Sequence, residues 1–230
     1  MRFMIKMIWF AYYFFKDLRA NQKKRKEGVT RFEEYGMTLF TGHQGGGKTM
    51  SLVLELEKYR KKYPGIYIAT NFGYKDENTS LRRIGDILEV IQKAKKSPDF
   101  IGVVIGWDEI QNDFDNGKKT FPVSLLRTIT QQRKQGIKML ATSQVFTRVA
   151  KPIREQTYSV VACKTLLFRW TFQRWYDAEE FEYNINNPTA RKKMFTKKKF
   201  SFIQHDDLRK LYDSYAVIDA LSDLKELEEK

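Results

Sequence analysis

Eight consecutive residues, Gly42-His43-Gln44-Gly45-Gly46-Gly47-Lys48-Thr49, have the types and spacing to hold phosphate. They read G-x-x-x-x-G-K-T. Glycine adopts backbone conformations closed to other residues, so a loop with four of them can turn its N–H groups inward onto phosphate oxygens. A lysine at this position reaches the β- and γ-phosphates, and the hydroxyl after it holds Mg²⁺. Gly42, Gln44, Gly45, Gly46, Gly47, Lys48, Thr49 and Met50 are therefore the candidate residues for binding ATP, with Thr49 also a candidate metal ligand.

Two further groups complete such a site. Asp108-Glu109 ends the apolar run 101–107. Asp108 would hold Mg²⁺ through its water shell, and Glu109 would orient and deprotonate an attacking water. Gln144 ends the run 137–142, where a polar residue can contact the γ-phosphate or the lytic water. A transition state that spreads charge over the γ-phosphate oxygens also invites an arginine from a neighbouring subunit. Arg127 and Arg133, which helical spacing does not separate, and Arg148 after the Gln144 run are candidates, and the chosen residue must lie on the site's edge of the sheet.

These groups need a scaffold. Residues 37–41 form an apolar run suited to a buried strand, and Leu52, Leu56 and Tyr59 mark one face of a helix over 48–62. Further buried strands are expected at 66–70, 101–107, 137–142 and 157–163. Residues 73–80 read as turns. Ile84, Ile87, Leu88 and Ile91 mark a helix ending near Ser97-Pro98. After a loop at 113–119, Pro122 starts a helix with Leu125, Leu126 and Ile129 on its buried face, and Gly136 ends it. Leu166, Phe168, Trp170 and Phe172 alternate with Leu167, Arg169, Thr171 and Gln173, which predicts a half-exposed antiparallel strand at the sheet edge. Arg191-Lys192-Lys193 and Lys197-Lys198-Lys199 flank a hairpin or loop that either touches a nucleic-acid backbone or is simply solvated. From Asp206 the chain reads as helical with an acidic end.

A length of 230 residues bounds the chain to one domain, or one with a small appendage. Lys and Arg number 42 against 28 acids, and the net charge of +14 favours nucleic acid or an acidic membrane surface as partner. The single cysteine, Cys163, cannot form an internal disulfide, which fits a reducing compartment, and its apolar surroundings suit the core better than a nucleophile. His43 and His205 lack cysteine partners, against a zinc site. Phe3 to Phe15 is apolar and aromatic except for Lys6, and a basic run follows at 23–26. These thirteen residues fall short of the ~20 that span a bilayer. No small-residue cleavage site follows. The segment suits a helix at a membrane interface or docked on a partner, with packing on the protein's own core as the alternative.

The loop 42–49, the strand ending Thr70-Asn71, and Trp107-Asp108-Glu109-Ile110-Gln111 together resemble the zonula occludens toxin-like ATPases of phages. So do Gln132-Arg133-Lys134-Gln135-Gly136, Ala141-Thr142-Ser143-Gln144 and Leu211-Tyr212-Asp213-Ser214-Tyr215. That family belongs to the FtsK/HerA superfamily, which also includes viral genome-packaging ATPases. The resemblance spans 36–218, and by placing Arg133 in a basic cluster just before Gly136 it puts Arg133 ahead as the trans arginine, with Arg148 in reserve. It implies an α/β, three-layer P-loop NTPase fold of the ASCE/RecA-like kind, with a mostly parallel sheet and antiparallel additions at its C-terminal edge. The strands carrying Gly42, Asp108 and Gln144 should be neighbours, with the Gln144 strand in the middle. The domains expected are 1–30 (hydrophobic and basic), 31–218 (ATPase) and 219–230 (acidic tail). The function implied is ATP-driven, sequence-nonspecific DNA translocation for genome packaging by a homo-oligomeric ring, commonly a hexamer. Residues 1–28 would contact a membrane or virion vertex, placing the protein in the virion or host cytoplasm, or at the cytoplasmic face of a membrane. Filamentous-phage members carry a membrane span after the ATPase domain, whereas the lipophilic stretch here is N-terminal and short, so packaging is expected ahead of extrusion. An ATP-switched assembly scaffold is the remaining alternative.

Overall fold

The computed structural model describes residues 2–26, 32–83, 85–97, 100–114, 123–190 and 194–212. Two units are distinguished, Met1–Phe32 and Glu33–Lys230. The first contains the helix α1 (Arg2–Lys26). In the second, β1 (Gly36–Thr41) leads through the glycine loop into α2 (Lys48–Lys62). There follow β2 (Tyr67–Thr70), β3 (Thr79–Ser80), α3 (Asp86–Lys95) and β4 (Val103–Trp107). Then come α4 (Val123–Thr130), α5 (Gln132–Gln135), β5 (Ile137–Ser143) and α6 (Lys151–Arg154). The chain continues through β6 (Thr157–Leu166), β7 (Trp170–Asp177), α7 (Ala178–Asn186), β8 (Lys198–Ile203) and α8 (Asp206–Arg209).

The eight strands form one sheet in the order β3-β2-β4-β5-β1-β6-β7-β8. Every pairing from β3 to β6 is parallel, and β7 and β8 add antiparallel at the edge. The expected neighbours are present, with β5 between β4 and β1. β1, β4 and β5 are buried along their whole length, which is why they read as continuous apolar runs. Alternate side chains face two helical layers. Met37, Leu39, Val103, Ile105, Ile137 and Met139 share a core with Ile87 and Ile91 of α3. On the other face α2 packs on β1, β4 and β5, closely enough that a Cβ on Gly106 would lie 3.3 Å from Leu52.

Several expectations change. The helix before β5 is broken at Gln131 (φ −101°, ψ 16°), although Gly136 ends it in the left-handed conformation (φ 65°). Residues 166–173 are not one strand: β6 runs to Leu166, the chain turns through Leu167 (φ 47°) and Phe168 (φ 62°), and β7 starts at Trp170. Local sequence hides this turn, because neither residue is the Gly, Asn or Asp such a turn favours. Long-range contacts hold it instead. Gln204 N–H donates to the Arg169 carbonyl (2.8 Å), Arg169 pairs with Asp206 (2.6 Å), and the Arg209 guanidinium donates to the Phe168 carbonyl. The inward face of β7 is also polar. Thr171 and Gln173 are buried, Trp170 is exposed, and Thr171 Oγ1 lies 2.9 Å from Thr165 Oγ1.

The basic run 197–199 enters β8 and divides. Lys197 pairs with Asp177 at 2.7 Å, Lys198 lies 5.3 Å from the Trp175 ring centre, and Lys199 is exposed. The short β3, α6 and α7 have no counterpart in the sequence reading. Ile84, Pro98, Pro122, the run 191–193, Asp213 to Tyr215 and the acidic tail 219–230 lie outside the described residues, as do the side chains of Leu125 and Leu126.

Lys138, mid-sheet on β5, is buried, and its ammonium donates to the Tyr35 carbonyl (3.2 Å) and Thr38 Oγ1 (3.0 Å). Burial pushes its pKa down to about 8 from 10.5. Between those values the unfolded chain binds more protons than the folded one, so this lysine makes stability rise with pH across that window. Chemical denaturation of wild type and Lys138→Met, titrated between those values, should show the rise in wild type and a smaller one in the variant.

A candidate phosphate and metal site at the carboxyl ends of the strands

The glycine loop leaves the carboxyl end of β1 and closes on itself, with Gly46 N–H donating to the His43 carbonyl at 2.9 Å. Gly45 (φ 73°) and Gly47 (φ 78°) take left-handed conformations that other residues rarely adopt. Gly46 is required for space: an added Cβ would lie 2.8 Å from the His43 carbonyl and 3.2 Å from that of Cys163. A Cβ on Gly47 would collide with the Thr165 and Thr171 hydroxyls. The loop is thus walled on one side by the β6–β7 hairpin. The helical ladder of α2 begins with Ser51 N–H donating to Gly47 O at 2.9 Å. The N–H groups of Lys48, Thr49 and Met50 therefore lie in the first turn, ahead of that ladder, at the positive end of the helix.

β4 and β5 bring the acids to this loop. Asp108 Oδ1 accepts from Thr49 Oγ1 (3.0 Å) and from Thr142 Oγ1 (2.5 Å). Thr142 Oγ1 in turn accepts the Glu109 N–H at 2.8 Å. Asn71, just past β2, clamps the Asp108 backbone: its Oδ1 accepts the Asp108 N–H (2.7 Å) and its Nδ2 donates to the Asp108 carbonyl (3.1 Å). Glu109 sits at φ 50°, ψ 50°, strained for a residue with a side chain. Its carboxylate lies 3.6 Å from Lys48 Nζ and accepts from Gln144 Nε2 at 3.4 Å and from Gln111 Nε2. Burial pushes the Asp108 carboxyl above the ordinary carboxylate range, opposed by the hydrogen bonds from Thr142 and Thr49.

The residues fit a triphosphate with a divalent cation. The loop offers main-chain donors and admits no side chains at Gly46 and Gly47. Thr49 and Asp108 present a hydroxyl and a half-buried carboxylate to one point, and a cation there would offset the cost of desolvating that carboxylate. Among the described residues no cluster of three His, Cys, Asp or Glu side chains could hold a metal ion. Two protein oxygens, with phosphate and water completing the shell, suit Mg²⁺.

The structure brings Lys48, Thr49, Asp108, Glu109 and Gln144 together. It does not bring Arg133. This residue lies on α5, before β5 begins, and its guanidinium stands 5.6 Å from the Tyr35 ring centre, beside the first residue of β1. It is at the amino ends of the strands, about 20 Å from the site by the length of β1. Arg133 therefore fails the requirement of lying on the site's edge. The reserve, Arg148, follows the carboxyl end of β5 and is exposed. Cys163 is buried core, its thiol pushed up to about 11, with Sγ 3.5 Å from Ser51 Oγ. Gln111, which donates to Glu109, received no role from the sequence, and neither did two residues at the ends of neighbouring strands, Asn71 and Thr142. The available signal was a hydrogen-bonding side chain at the end of a strand adjoining β4.

With β5 inserted between β1 and β4, the sheet and loop have the P-loop NTPase fold of the additional-strand, RecA-like class. No protein-family model matches the chain, and no curated protein is similar to it in sequence. Among solved structures, the N-terminal domain of zonular occludens toxin from Neisseria meningitidis is similar, at 16% identity and a TM-score of 0.56. The match covers 78% of this chain and 99% of that one. The genome packaging NTPase B204 from Sulfolobus turreted icosahedral virus 2, in complex with AMPPCP, aligns at 14% identity and a TM-score of 0.49. That alignment covers 63% of this chain and 93% of that one. The fold expected from the sequence resemblance is the fold found.

Removing the Thr142 hydroxyl while keeping its shape tests the bridge. Thr142→Val leaves the Glu109 N–H without its acceptor and should cost about 1–3 kcal/mol of stability. Any nucleotide turnover should fall further than nucleotide affinity does, as measured by single-turnover kinetics beside equilibrium binding.

Proposed function

We propose that the chain is a Mg²⁺-dependent ATPase that moves DNA during virus assembly, with genome packaging as its task. The observation that carries the ATPase reading is the convergence of Lys48, Thr49, Asp108, Glu109 and Gln144 on one glycine loop. Lys48 and the main-chain donors of 42–50 bind the phosphates. Thr49 and Asp108 hold the cation, which when bound neutralises charge on the phosphate oxygens. Glu109 accepts the proton of the attacking water, and Gln144 and Gln111 orient its carboxylate. Lys48 already lies beside Glu109, so phosphate binding draws the lysine away and leaves that carboxylate free to act as base.

DNA is proposed from the net charge of +14 and from the sequence resemblance to packaging ATPases. A ring is proposed because one lysine leaves much of the transition-state charge unmet. Arg148, on the site's edge, is the proposed trans arginine. A second reading, extrusion of DNA at a membrane, is favoured by the likeness to the zonular occludens toxin domain.

Glu109→Gln should keep nucleotide affinity and lose hydrolysis by about 100-fold or more, because an amide cannot take the proton. Wild-type hydrolysis by that variant would sink the assignment. Duplex DNA should stimulate wild-type hydrolysis, with affinity falling steeply as salt rises. ATP binding with no response to DNA would instead favour the scaffold. Mixing Lys48→Ala with Arg148→Ala subunits should restore activity that neither has alone if Arg148 acts in trans.

A further inference from the structure

Helix α1 exposes large apolar side chains over most of its girth. Phe3 is 74% exposed, Ile8 67%, Phe10 70% and Phe15 59%. A contiguous apolar surface of this kind marks a site of interaction with a partner or a lipid phase. No described helix is long and apolar enough to cross a membrane. Phe3 to Phe15 extends about 20 Å as a helix, against about 30 Å of hydrocarbon.

The side chains sort into two opposed stripes. Lys6, Trp9, Tyr13 and Lys16 recur at intervals of three, four and three and share one side. The Trp9 and Tyr13 rings stack there, with centroids 5.8 Å apart. Met4, Ile8, Ala11, Phe15 and Leu18 recur at four, three, four and three on the other side. The first stripe consists entirely of side chains with apolar stems or rings and polar tips, the kind that reach from hydrocarbon to a polar boundary. The second has no polar atom beyond the backbone and the Met4 sulfur.

We propose that α1 lies in the plane of an anionic membrane surface, with the Ile8–Phe15 side immersed and Lys6, Trp9, Tyr13 and Lys16 at headgroup level. Charge selects this occupant. Residues 2–26 carry eight Lys or Arg and one acid, Asp17. Anionic headgroups neutralise that excess. A second copy of the helix would set eight cations against eight. The inference stands apart from the ATPase reading, since it uses no residue of the nucleotide site.

The test uses the full chain and vesicles of phosphatidylcholine with or without phosphatidylglycerol. The protein should float with the anionic vesicles and far less with the neutral ones. Ile8→Asp with Phe15→Asp should cut vesicle partitioning by tenfold or more, with the circular dichroism of the remaining domain retained. Depth tests the orientation. Trp9 should be quenched most by lipids brominated near the headgroup, whereas Ile8→Trp in a Trp9→Phe background should be quenched most by bromine deep in the chains. The other three tryptophans are common to both proteins. No flotation, or equal quenching depth at the two adjacent positions, would overturn the proposal. So would a lipid-free oligomer that Ile8→Asp dissociates, which would assign the stripe to self-association.

Discussion

The Asp108 carboxylate is the point on which the site depends. It is half-buried, and a carboxylate withdrawn from water is costly unless its oxygens are met. Here Thr49, from the loop after β1, and Thr142, from β5, both donate to the same oxygen. Asn71, from the end of β2, fixes the backbone beneath it. Four successive strands of the sheet, β2, β4, β5 and β1, thus contribute to holding one acid. The same threonine that donates to Asp108 accepts from the Glu109 N–H, so the strained conformation of Glu109 is held by the group that satisfies its neighbour.

This coupling explains why β5 must lie between β4 and β1. Thr41 pairs with Ser143, and Trp107 with Ala141, so the three carboxyl ends finish close together. Parallel strands put all their carboxyl ends on one edge, and the positive ends of the following helices face the same way. Arg133 shows the converse. It precedes β5, so the parallel direction that brings Gln144 to the loop carries Arg133 to the opposite edge.

The antiparallel strands have a role beyond closing the sheet. β6 continues past its pairing with β1, and Cys163, Thr165 and Thr171 press against the loop where Gly46 and Gly47 lie. The polar inward face of β7 follows from this, because Thr171 meets the Thr165 hydroxyl and the Gln204 amide, and Gln173 accepts from the Trp175 indole N–H, in place of an apolar core. The loop's glycines are therefore matched both to phosphate and to the hairpin behind it.

Sequence alone determined the elements whose signals are local. The glycine loop, the buried runs of β1, β4 and β5, the acids after β4 and the glutamine after β5 were legible because strand burial and loop chemistry are written in adjacent residues. The resemblance supplied the order of the three strands that carry Gly42, Gln144 and Asp108, and the sheet has it. Tertiary structure alone decided the rest. The turn at Leu167 and Phe168 is held by partners at 204–209, so nothing within the turn announces it. Helical spacing could place Arg133 on a face of its helix, but only the strand direction fixed the edge of the sheet. Asn71 and Thr142 gained roles from strands that are distant in sequence and adjacent in space, a relation that periodicity along one chain does not encode.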